Sequence, residues 1–225
     1  MDASTLWVVI LAVAVVYGLP YMMLLMVQRS LTRMKPVADD DGRFGREVRL
    51  VGRFAPWAAD QGFDRVGCYT TGAAFIGAWR HSEKPRFFCV YLMQGRCAFD
   101  LVTIFSDRVS VTTGSSRDGQ LYPRRPGSYL QTFSMDEVES LWPLHLEAED
   151  YLTRHGGIRM EPLRATFEDV FVDACRKELA HARTYFLWQL RVWYWFVVRR
   201  LRRHGLSIQR QHESGLIEVP PPIEL

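Results

Sequence analysis

The chain has 225 residues, of which 48% are hydrophobic and 24% charged, with a formal net charge of +3. This composition excludes an intrinsically disordered chain and a multi-span membrane protein, and so weak a positive charge does not indicate a nucleic-acid partner. Four cysteines are too few for a disulfide scaffold in a chain of this length. One domain with appendages is therefore the expected organisation.

Residues 6–27 form an apolar run without a charged side chain. Because a bilayer core requires about 20 apolar helical residues, the run predicts a transmembrane helix, preceded by a short extracytoplasmic terminus over 1–5. A cleaved signal peptide is the alternative, but it has a basic start and a shorter apolar stretch, whereas this chain starts Met-Asp-Ala-Ser-Thr. A buried core helix of this length would need a larger protein around it. The run is therefore interpreted as a retained signal anchor.

The charges on either side of the apolar run predict its orientation. Asp2 is the one charged side chain before the run, whereas Arg29, Arg33 and Lys35 follow it. Since basic residues accumulate on the cytoplasmic side of membrane spans, the amino terminus is expected outside and the remainder of the chain in the cytosol. Reduced cysteines are consistent with that compartment.

A linker and a helix are predicted after the anchor. Residues 28–43 combine basic and acidic side chains with Pro and Gly and offer little to bury, which predicts a linker. Residues 44–62 have apolar side chains at helical spacing, namely Leu50, Phe54, Trp57 and Ala58. Pro56 predicts a kink because it removes a backbone hydrogen bond, and Gly62 is expected to end the helix.

An antiparallel meander is predicted next, because the hydrophobic period changes to two. The expected strands cover residues 65–71, 73–81, 86–93, 96–105 and 108–113. A two-residue turn at Gln94 and Gly95 sets the register of one hairpin. One face then pairs Leu92 with Cys97, Val90 with Phe99 and Phe88 with Leu101. The other face pairs Tyr91 with Ala98, Cys89 with Asp100 and Phe87 with Val102. Since both faces are largely apolar, this hairpin is expected to be covered on both sides.

The segment after the meander predicts a loop and a helix. Residues 114–133 are rich in Gly, Ser and Pro, which favours a loop. Ser134 and Glu137 have the spacing of a capping box, and Gly156 followed by Gly157 is expected to end the helix. The inner stripe of this helix would be Val138, Leu141, Trp142, His145, Ala148 and Leu152. A cytosolic α+β domain is thus predicted over residues 44–160.

The carboxyl-terminal part predicts one long helix. It would begin near Thr166, and no helix-breaking residue follows before Gly205, so residues 161–205 are assigned to a helix on the order of 55–60 Å long. Residues 206–225 are predicted to be a flexible tail that contains prolines. The predicted fold class is α+β, with one amino-terminal transmembrane helix, a β-meander flanked by helices and a long carboxyl-terminal helix.

Residues 185–203, the aromatic–basic segment, join an aromatic run to an arginine run. A second span is excluded because the apolar part is short and Arg191 lies in its middle. The segment either lies at the membrane interface or is buried against the domain. Its apolar groups lie all round the helical wheel, which favours a shared interface: one side on the domain, the other on lipid, the anchor or another subunit. The predicted membrane or partner contacts are Trp188, Arg191, Trp193, Tyr194, Trp195, Arg199, Arg200, Arg202 and Arg203.

Motifs of site chemistry are scarce. The sequence has no phosphate loop, dinucleotide fingerprint or Cys-x-x-Cys, and its histidines lack metal-ligand spacing, so no catalytic residue, cofactor or metal is predicted. Asp100 interrupts an apolar strand and needs a partner, for which Arg80 and Arg96 are the candidates. Cys89 is interpreted as a buried structural thiol. Arg80, His81 and Asp100 form the one polar cluster in which a site would be sought.

The leading functional hypothesis is a non-catalytic interaction or accessory domain, a subunit or scaffold at the inner face of a membrane. Its expected partners are membrane lipid and another membrane protein or subunit, with no nucleic acid. One alternative is a membrane-bound enzyme with a site near Arg80, His81 and Asp100. Another is an anionic-lipid surface binder that acts through residues 199–203. The arginine-rich loop over 117–125 could bind an anion, although solvated loop charge is commoner.

Overall fold

The computed structural model describes residues 2–18, 21–22, 25–26, 29–30, 33–71, 74–93, 95–106, 108–117, 123–161 and 165–219. The helices are α1 (Ala3–Val13), α2 (Gly45–Gly52), α3 (Ala55–Asp60), α4 (Val138–Gly156), α5 (Phe167–Arg183), α6 (Trp188–Tyr194), α7 (Arg200–Arg203) and α8 (Ile208–Glu213). The strands are β1 (Lys35–Val37), β2 (Phe63–Thr70), β3 (Phe75–His81), β4 (Arg86–Met93), β5 (Arg96–Ile104), β6 (Ser110–Gly114) and β7 (Ser128–Thr132). Two π-helical turns, Ala14–Gly18 and Trp195–Arg199, continue α1 and α6.

The strands form one seven-stranded sheet in the order β1 to β7, antiparallel except between β6 and β7. The predicted α+β class is therefore confirmed. The predicted hairpin register is confirmed at every pair, including Val90 opposite Phe99 and Cys89 opposite Asp100. Gly95 has a φ of +78°, which suits a tight turn, whereas Gln94 lies outside the described residues.

The front face of the sheet carries the main core under α2, α3 and α4. Phe88 lies at its centre, with its ring centroid 4.9 Å from that of Trp57 and 5.1 Å from that of Trp79. A Cβ on Gly77 would lie 2.0 Å from Cγ1 of Val51, so glycine is required for α2 to approach β3. The first half of the predicted inner stripe of α4 packs in this core through Val138, Leu141 and Trp142, whereas Ala148 and Leu152 lie in a second core cluster.

The back face of the sheet is covered by the first turns of α5. Phe167 packs against Tyr69 and Phe87, and Val170 and Phe171 extend the contact. Thr166 caps α5 by accepting a hydrogen bond from the backbone N–H of Asp169, as its sequence position suggests. The central hairpin is thus covered on both sides, as its apolar pattern predicts.

Two strands lie in segments that were expected to be a linker and a loop. Strand β1 pairs with β2 inside the predicted linker 28–43, and Val37 is its one buried side chain. Strand β7 runs parallel to β6 inside the predicted loop 114–133. Gly127, with a φ of +81°, permits this pairing because a Cβ there would lie 2.4 Å from the carbonyl oxygen of Arg108. Both strands are stabilised by distant partners, which a local pattern does not reveal.

Two further predictions about helices are wrong. Residues 44–62 form two helices rather than one kinked helix, because Pro56 lies in the first turn of α3, where its missing N–H costs nothing. The capping box does not form: Glu137 precedes α4 without a side-chain hydrogen bond. The hydroxyl of Ser134 lies instead 2.9 Å from Nε2 of His204.

The long helix expected over 161–205 is broken between α5 and α6. Leu187 has a φ of +50°, a left-handed conformation that interrupts a helix of L-residues. The break lets the aromatic–basic segment fold back, so that Val192 and Trp195 are buried against Ala182 and Tyr185. Burial of these side chains therefore outweighs helical continuity.

The predicted flexible tail is partly ordered. Ile208 is buried with Phe105 and Leu152 in a second core cluster. The side chain of Gln211 donates to the carbonyl oxygen of Leu130 at 2.9 Å. Residues up to 219 thus belong to the domain, while Pro220 and the residues after it lie outside the described part of the chain.

Across the described ranges, no helix is both long and apolar enough to cross a membrane. The predicted span over 6–27 includes residues 19–20, 23–24 and 27, which the structure does not describe.

Candidate functional site

The amino-terminal helix α1 displays large apolar side chains to solvent around its circumference. Trp7, Val8 and Leu11 are each 65–69% exposed. The helix begins after Asp2, whose carboxylate accepts a hydrogen bond from the backbone N–H of Thr5 at 2.8 Å. A helix that is apolar on all sides is normally buried. The exposed apolar side chains of α1 are therefore expected to be buried in another apolar environment.

The aromatic–basic segment buries one side and exposes the other. Val192 and Trp195 are each 3% exposed, whereas Phe186, Leu190 and Tyr194 project into solvent. Of the remaining predicted aromatic contacts, Trp188 is partly buried, and the side chain of Trp193 lies outside the described set. The buried side packs against the end of α5, and the shared interface predicted for this segment stays a prediction.

The part of the chain just after α1 contacts the aromatic–basic segment. The rings of Tyr21 and Trp188 are 5.9 Å apart between centroids, and α6 packs against the π-helical turn Ala14–Gly18. We refer to α1, its extension and the exposed side of the aromatic–basic segment together as the apolar surface. A contiguous surface of this kind is typical of a membrane or protein interface.

Arginines of the aromatic–basic segment and of the loop after β6 influence the same groups electrostatically. Burial and the charges of Arg203 and Arg124 lower the pKa of Arg199 to about 10. Burial and the charges of Arg117 and Arg200 lower the pKa of His204. The arginine cluster is defined as Arg117, Arg124, Arg199, Arg200 and Arg203. Of the other predicted basic contacts, Arg202 is exposed, and Arg191 is exposed with its guanidinium 5.7 Å from the ring centroid of Tyr185.

The base of the arginine cluster is fixed to the sheet. The ring of His204 lies 3.0 Å from the hydroxyl of Thr132 in β7, and the N–H of Gly205 donates to the carbonyl of Thr132 at 2.7 Å. Arg203 donates from Nη2 to the carbonyl oxygen of Leu216 at 2.5 Å. These contacts hold α7 in a defined position next to the edge strand.

Asp100 has partners other than the predicted ones. Burial raises the pKa of its carboxyl to about 7, whereas the positive charge of Arg124 and a hydrogen bond from Tyr91 oppose the rise. Of the predicted partners, Arg80 donates to the carbonyl oxygen of Ala165 at 3.3 Å, and Arg96 is exposed. Arg124 was missed because it lies in a predicted loop.

Cys89, which pairs with Asp100 across the hairpin, has the environment expected of a buried structural thiol. Cys89 is buried in the core of the back face, and burial raises the pKa of its thiol well above the usual range. A thiol with a raised pKa is a poor nucleophile at neutral pH. This supports packing as the role of Cys89.

The three residues of the predicted polar cluster do not meet in one site. Arg80 and Asp100 lie on the back face, at different rows and two strands apart. His81 lies on the front face, where its ring centroid is 5.3 Å from that of Phe63 and its Nδ1 accepts a hydrogen bond from the backbone N–H of Glu83. These positions do not assemble a catalytic group.

A buried polar network that sequence reasoning missed lies under α4. Arg86 donates from Nε to Glu149 at 2.7 Å and from Nη2 to its other carboxylate oxygen. Glu149 also accepts from the hydroxyl of Thr103, and both side chains border His145. Burial raises the pKa of Glu149, but interactions with His145, Arg86 and Thr103 outweigh burial and bring it to about 2. The ion pair is thus present at neutral pH.

His145 lies between two hydroxyls in this network. Its Nε2 is 2.9 Å from Thr103 and its Nδ1 is 2.9 Å from Thr113, which accepts a hydrogen bond from Gln131. Burial lowers the pKa of His145 despite the nearby carboxylate of Glu149. A neutral ring with its proton on Nε2 is consistent with all of these contacts. His145 then donates a hydrogen bond to the hydroxyl of Thr103, and that hydroxyl donates to Glu149. The arrangement stabilises the fold and leaves no group aimed at a ligand.

No group of three or more His, Cys, Asp or Glu side chains that could hold a metal occurs among the described residues. Comparison of the chain with protein-family models, with curated proteins and with solved structures found no match. Function must therefore be inferred from the surfaces and clusters themselves.

Proposed function

We propose that this protein is a single-pass membrane protein anchored by residues 6–27, with its amino terminus outside and its α+β domain in the cytosol. The domain would act as a non-catalytic interaction or accessory module at the inner face of the membrane. The observation that carries the proposal is the apolar surface, in which α1 exposes large apolar side chains and the chain just after α1 contacts the aromatic–basic segment.

The energetic argument concerns the exposure of α1. Burial of one large apolar side chain contributes about 1.5–3 kcal/mol, and α1 exposes Leu6, Trp7, Val8, Val9, Ile10, Leu11 and Val13. Insertion into hydrocarbon would remove all of these from water. Since the run over 6–27 contains no charge, no charged group opposes insertion.

A second candidate function is contact with anionic lipid through residues 199–203. It is favoured by exposed Arg202 and by the partly buried arginines beside it, which lie next to exposed Tyr194 and Leu201. Each basic residue near an anionic surface contributes about 1 kcal/mol. This contact would orient the anchored domain rather than replace the anchor.

The enzyme alternative has less support. An enzyme requires polar groups that converge on a concave site, but Arg80 and His81 lie on opposite faces of the sheet. The polar network around His145 satisfies its own hydrogen bonds. An open groove between α4 and α8, of about 460 Å³, is bordered by Glu147, Arg210 and Glu213, without a group that is poised as a nucleophile or base.

The test is membrane extraction of the full chain and of a variant with two charges in α1. The wild type should stay in the membrane pellet after an alkaline carbonate wash. Leu11→Arg combined with Val13→Arg should release it, because both residues lie within the run over 6–27 and an Arg at the centre of a span costs about 2.5–3.5 kcal/mol. Val66→Arg is the matched control, since Val66 is an exposed apolar residue of the sheet domain, and it should stay in the pellet.

Topology is tested by reporters fused after Leu225. A reporter that is active only in the cytosol should work, and one that is active only outside the cytosol should not. Release of the wild type by carbonate would contradict anchoring, and activity of the external reporter would contradict the orientation.

A further inference from the structure

We propose that residues 185–194 form a re-entrant membrane segment, which enters the cytoplasmic half of the bilayer beside the anchor and leaves it on the same side. The partner of this surface is the hydrocarbon of the membrane that holds residues 6–27. The inference rests on the proposed function and deepens it, because it gives the depth and the path of a segment that would otherwise lie on the membrane surface.

The depth of the segment follows from two contacts with the anchor. The rings of Tyr21 and Trp188 are 5.9 Å apart between centroids, and α6 packs against the π-helical turn Ala14–Gly18. That turn lies in the middle of the run over 6–27, and Tyr21 lies before its end by a length of about 9 Å along a helix. When the run spans a hydrocarbon core about 30 Å thick, a helix that contacts both positions lies inside the core rather than at headgroup depth.

The path of the segment follows from its two ends, which are both fixed on the sheet domain. Before the segment, Phe167 of α5 packs against Tyr69 and Phe87. After it, the ring of His204 lies 3.0 Å from the hydroxyl of Thr132 in β7. Because the chain leaves the domain and comes back to it, the segment returns to the side of the membrane from which it entered.

The turn that leads into α6 has a backbone suited to an apolar environment. Leu187, with a φ of +50°, separates this turn from α5. The N–H of Trp188 donates to the carbonyl oxygen of Tyr185 at 3.1 Å, and the N–H of Leu190 donates to that of Leu187 at 2.9 Å. Backbone groups at membrane depth have to be satisfied within the protein, and these groups are satisfied within the turn itself.

The side chains that the segment presents to its surroundings are mainly apolar. Phe186 is 78% exposed, and Leu187, Leu190 and Tyr194 are each 45–51% exposed. Exposure of large apolar side chains next to one another is typical of a surface that is covered in the working protein. Since α6 contacts the anchor at membrane depth, lipid chains are the material that covers them, and the hydroxyl of Tyr194 can point toward the headgroups.

The charges of the segment are compatible with re-entry and not with a crossing. Arg191 is the one charged residue between positions 185 and 198. Its guanidinium lies 5.7 Å from the ring centroid of Tyr185, and the attraction of a cation to a ring is stronger where water is excluded. Its long side chain can also extend toward the headgroups. Re-entry keeps the arginine run of residues 199–203 on the cytoplasmic side, where basic residues accumulate.

The experiment measures membrane depth with nitroxide labels on the full chain in phosphatidylcholine vesicles. Phe186→Cys, Leu190→Cys and Val66→Cys are made separately in a chain with Cys97→Ser and Cys175→Ser, so that the label reacts at the introduced cysteine. Relaxation by molecular oxygen reports contact with hydrocarbon, and relaxation by a water-soluble nickel chelate reports contact with water. The ratio of oxygen to nickel relaxation should be several-fold higher at positions 186 and 190 than at position 66.

Leu201→Cys is the matched control for depth. Leu201 and Leu190 are both exposed leucines of the aromatic–basic segment, at 57% and 48%, but Leu201 lies within the arginine run that should meet the headgroups. The ratio of oxygen to nickel relaxation should therefore be several-fold higher at position 190 than at position 201. Equal ratios at the two leucines would mean that the whole segment lies on the membrane surface, which would overturn re-entry. Since the labelled side chains are exposed in the folded chain, the substitutions should leave the core intact.

A label at Leu11→Cys separates failure of this inference from failure of the proposed function, because Leu11 is an exposed residue of the anchor. Relaxation by nickel rather than oxygen at position 11 would contradict the anchor and, with it, the re-entrant segment. A hydrocarbon-like response at position 11 with a water-like response at positions 186 and 190 would overturn the re-entrant segment alone. Weak relaxation by both reagents at positions 186 and 190 would mean that a second copy or another protein covers them, which would overturn lipid as the partner.

Discussion

The polar network under α4 and the arginine cluster both remove arginine side chains from water, but they differ in how the charge is matched. Arg86 meets the carboxylate of Glu149 in two hydrogen bonds, and the hydroxyls around His145 complete the network. Arg199 instead lies among like charges, and burial and those charges lower its pKa to about 10. Removing one partner of a buried ion pair leaves an uncompensated charge and is strongly destabilising, so the two regions should respond differently to the loss of a charge.

The largest effect is expected from separating the matched pair. Glu149→Gln leaves Arg86 buried beside a neutral side chain, which should lower the free energy of unfolding by about 3–5 kcal/mol. Asp150→Asn is the control, because Asp150 pairs with Arg154 at the surface, and it should cost less than about 1 kcal/mol. Urea unfolding measures both, and similar values for the two variants would contradict a structural role for the network.

The apolar core between these regions should be almost as sensitive. Phe99 is 2% exposed, and its ring centroid lies 5.0 Å from that of Phe54. Phe99→Ala should therefore cost about 3–5 kcal/mol, measured by urea unfolding. A loss below about 1 kcal/mol would contradict a core position for Phe99.

Asp100, at the border of the arginine cluster, should make the fold less stable as pH rises. The pKa of its carboxyl is about 7 in the folded chain, against an ordinary value of 3.8 for an aspartate exposed to water, so the folded state holds a proton that the unfolded state has lost. Stability should fall between about pH 4 and pH 7 and level off above. Asp100→Asn should therefore be more stable than the wild type at pH 8 by about 2–4 kcal/mol. No difference between the unfolding curves at pH 8 would contradict this.

His145 should impose a smaller and opposite dependence on pH. Its pKa is lowered by burial, so the unfolded chain binds a proton near pH 6.5 that the folded chain does not. Stability should therefore fall as the pH decreases through about 6.5 because of this residue. Nitrogen NMR should show a neutral ring with its proton on Nε2 at pH 7. A ring that is charged at pH 6.5 or protonated on Nδ1 would contradict the proposed hydrogen-bond directions.

The strands of the sheet were predictable where the sequence pattern that specifies their pairing is local. The period-two pattern and the turn near Gly95 fix the β4–β5 register, and the apolar pattern of Phe87 and Phe88 indicates cover on both faces. Strands β1 and β7 were not predictable, because each is short and depends on a distant neighbour. The break at Leu187 has no glycine or proline to mark it, so it became visible only through the packing of Trp195.

The candidate site was predictable only where its residues follow one another in the sequence. The exposed aromatic side chains and the arginine run of residues 185–203 can be read from the sequence alone. The contact of Tyr21 with Trp188 was not predictable, because it joins residues at opposite ends of the chain. The ion pair of Arg86 and Glu149 likewise joins residues 63 positions apart.

The central claim is that the apolar surface lies in the membrane, and cysteine accessibility tests it most directly. Leu11→Cys, Leu190→Cys and Val66→Cys would be made separately in a chain with Cys97→Ser and Cys175→Ser, since Cys97 is exposed and Cys175 partly so. All three target positions are exposed in the folded chain. In membranes opened on both sides, a water-soluble maleimide should label position 66 at once and positions 11 and 190 only after detergent is added. Equal labelling of all three positions before detergent would contradict the account.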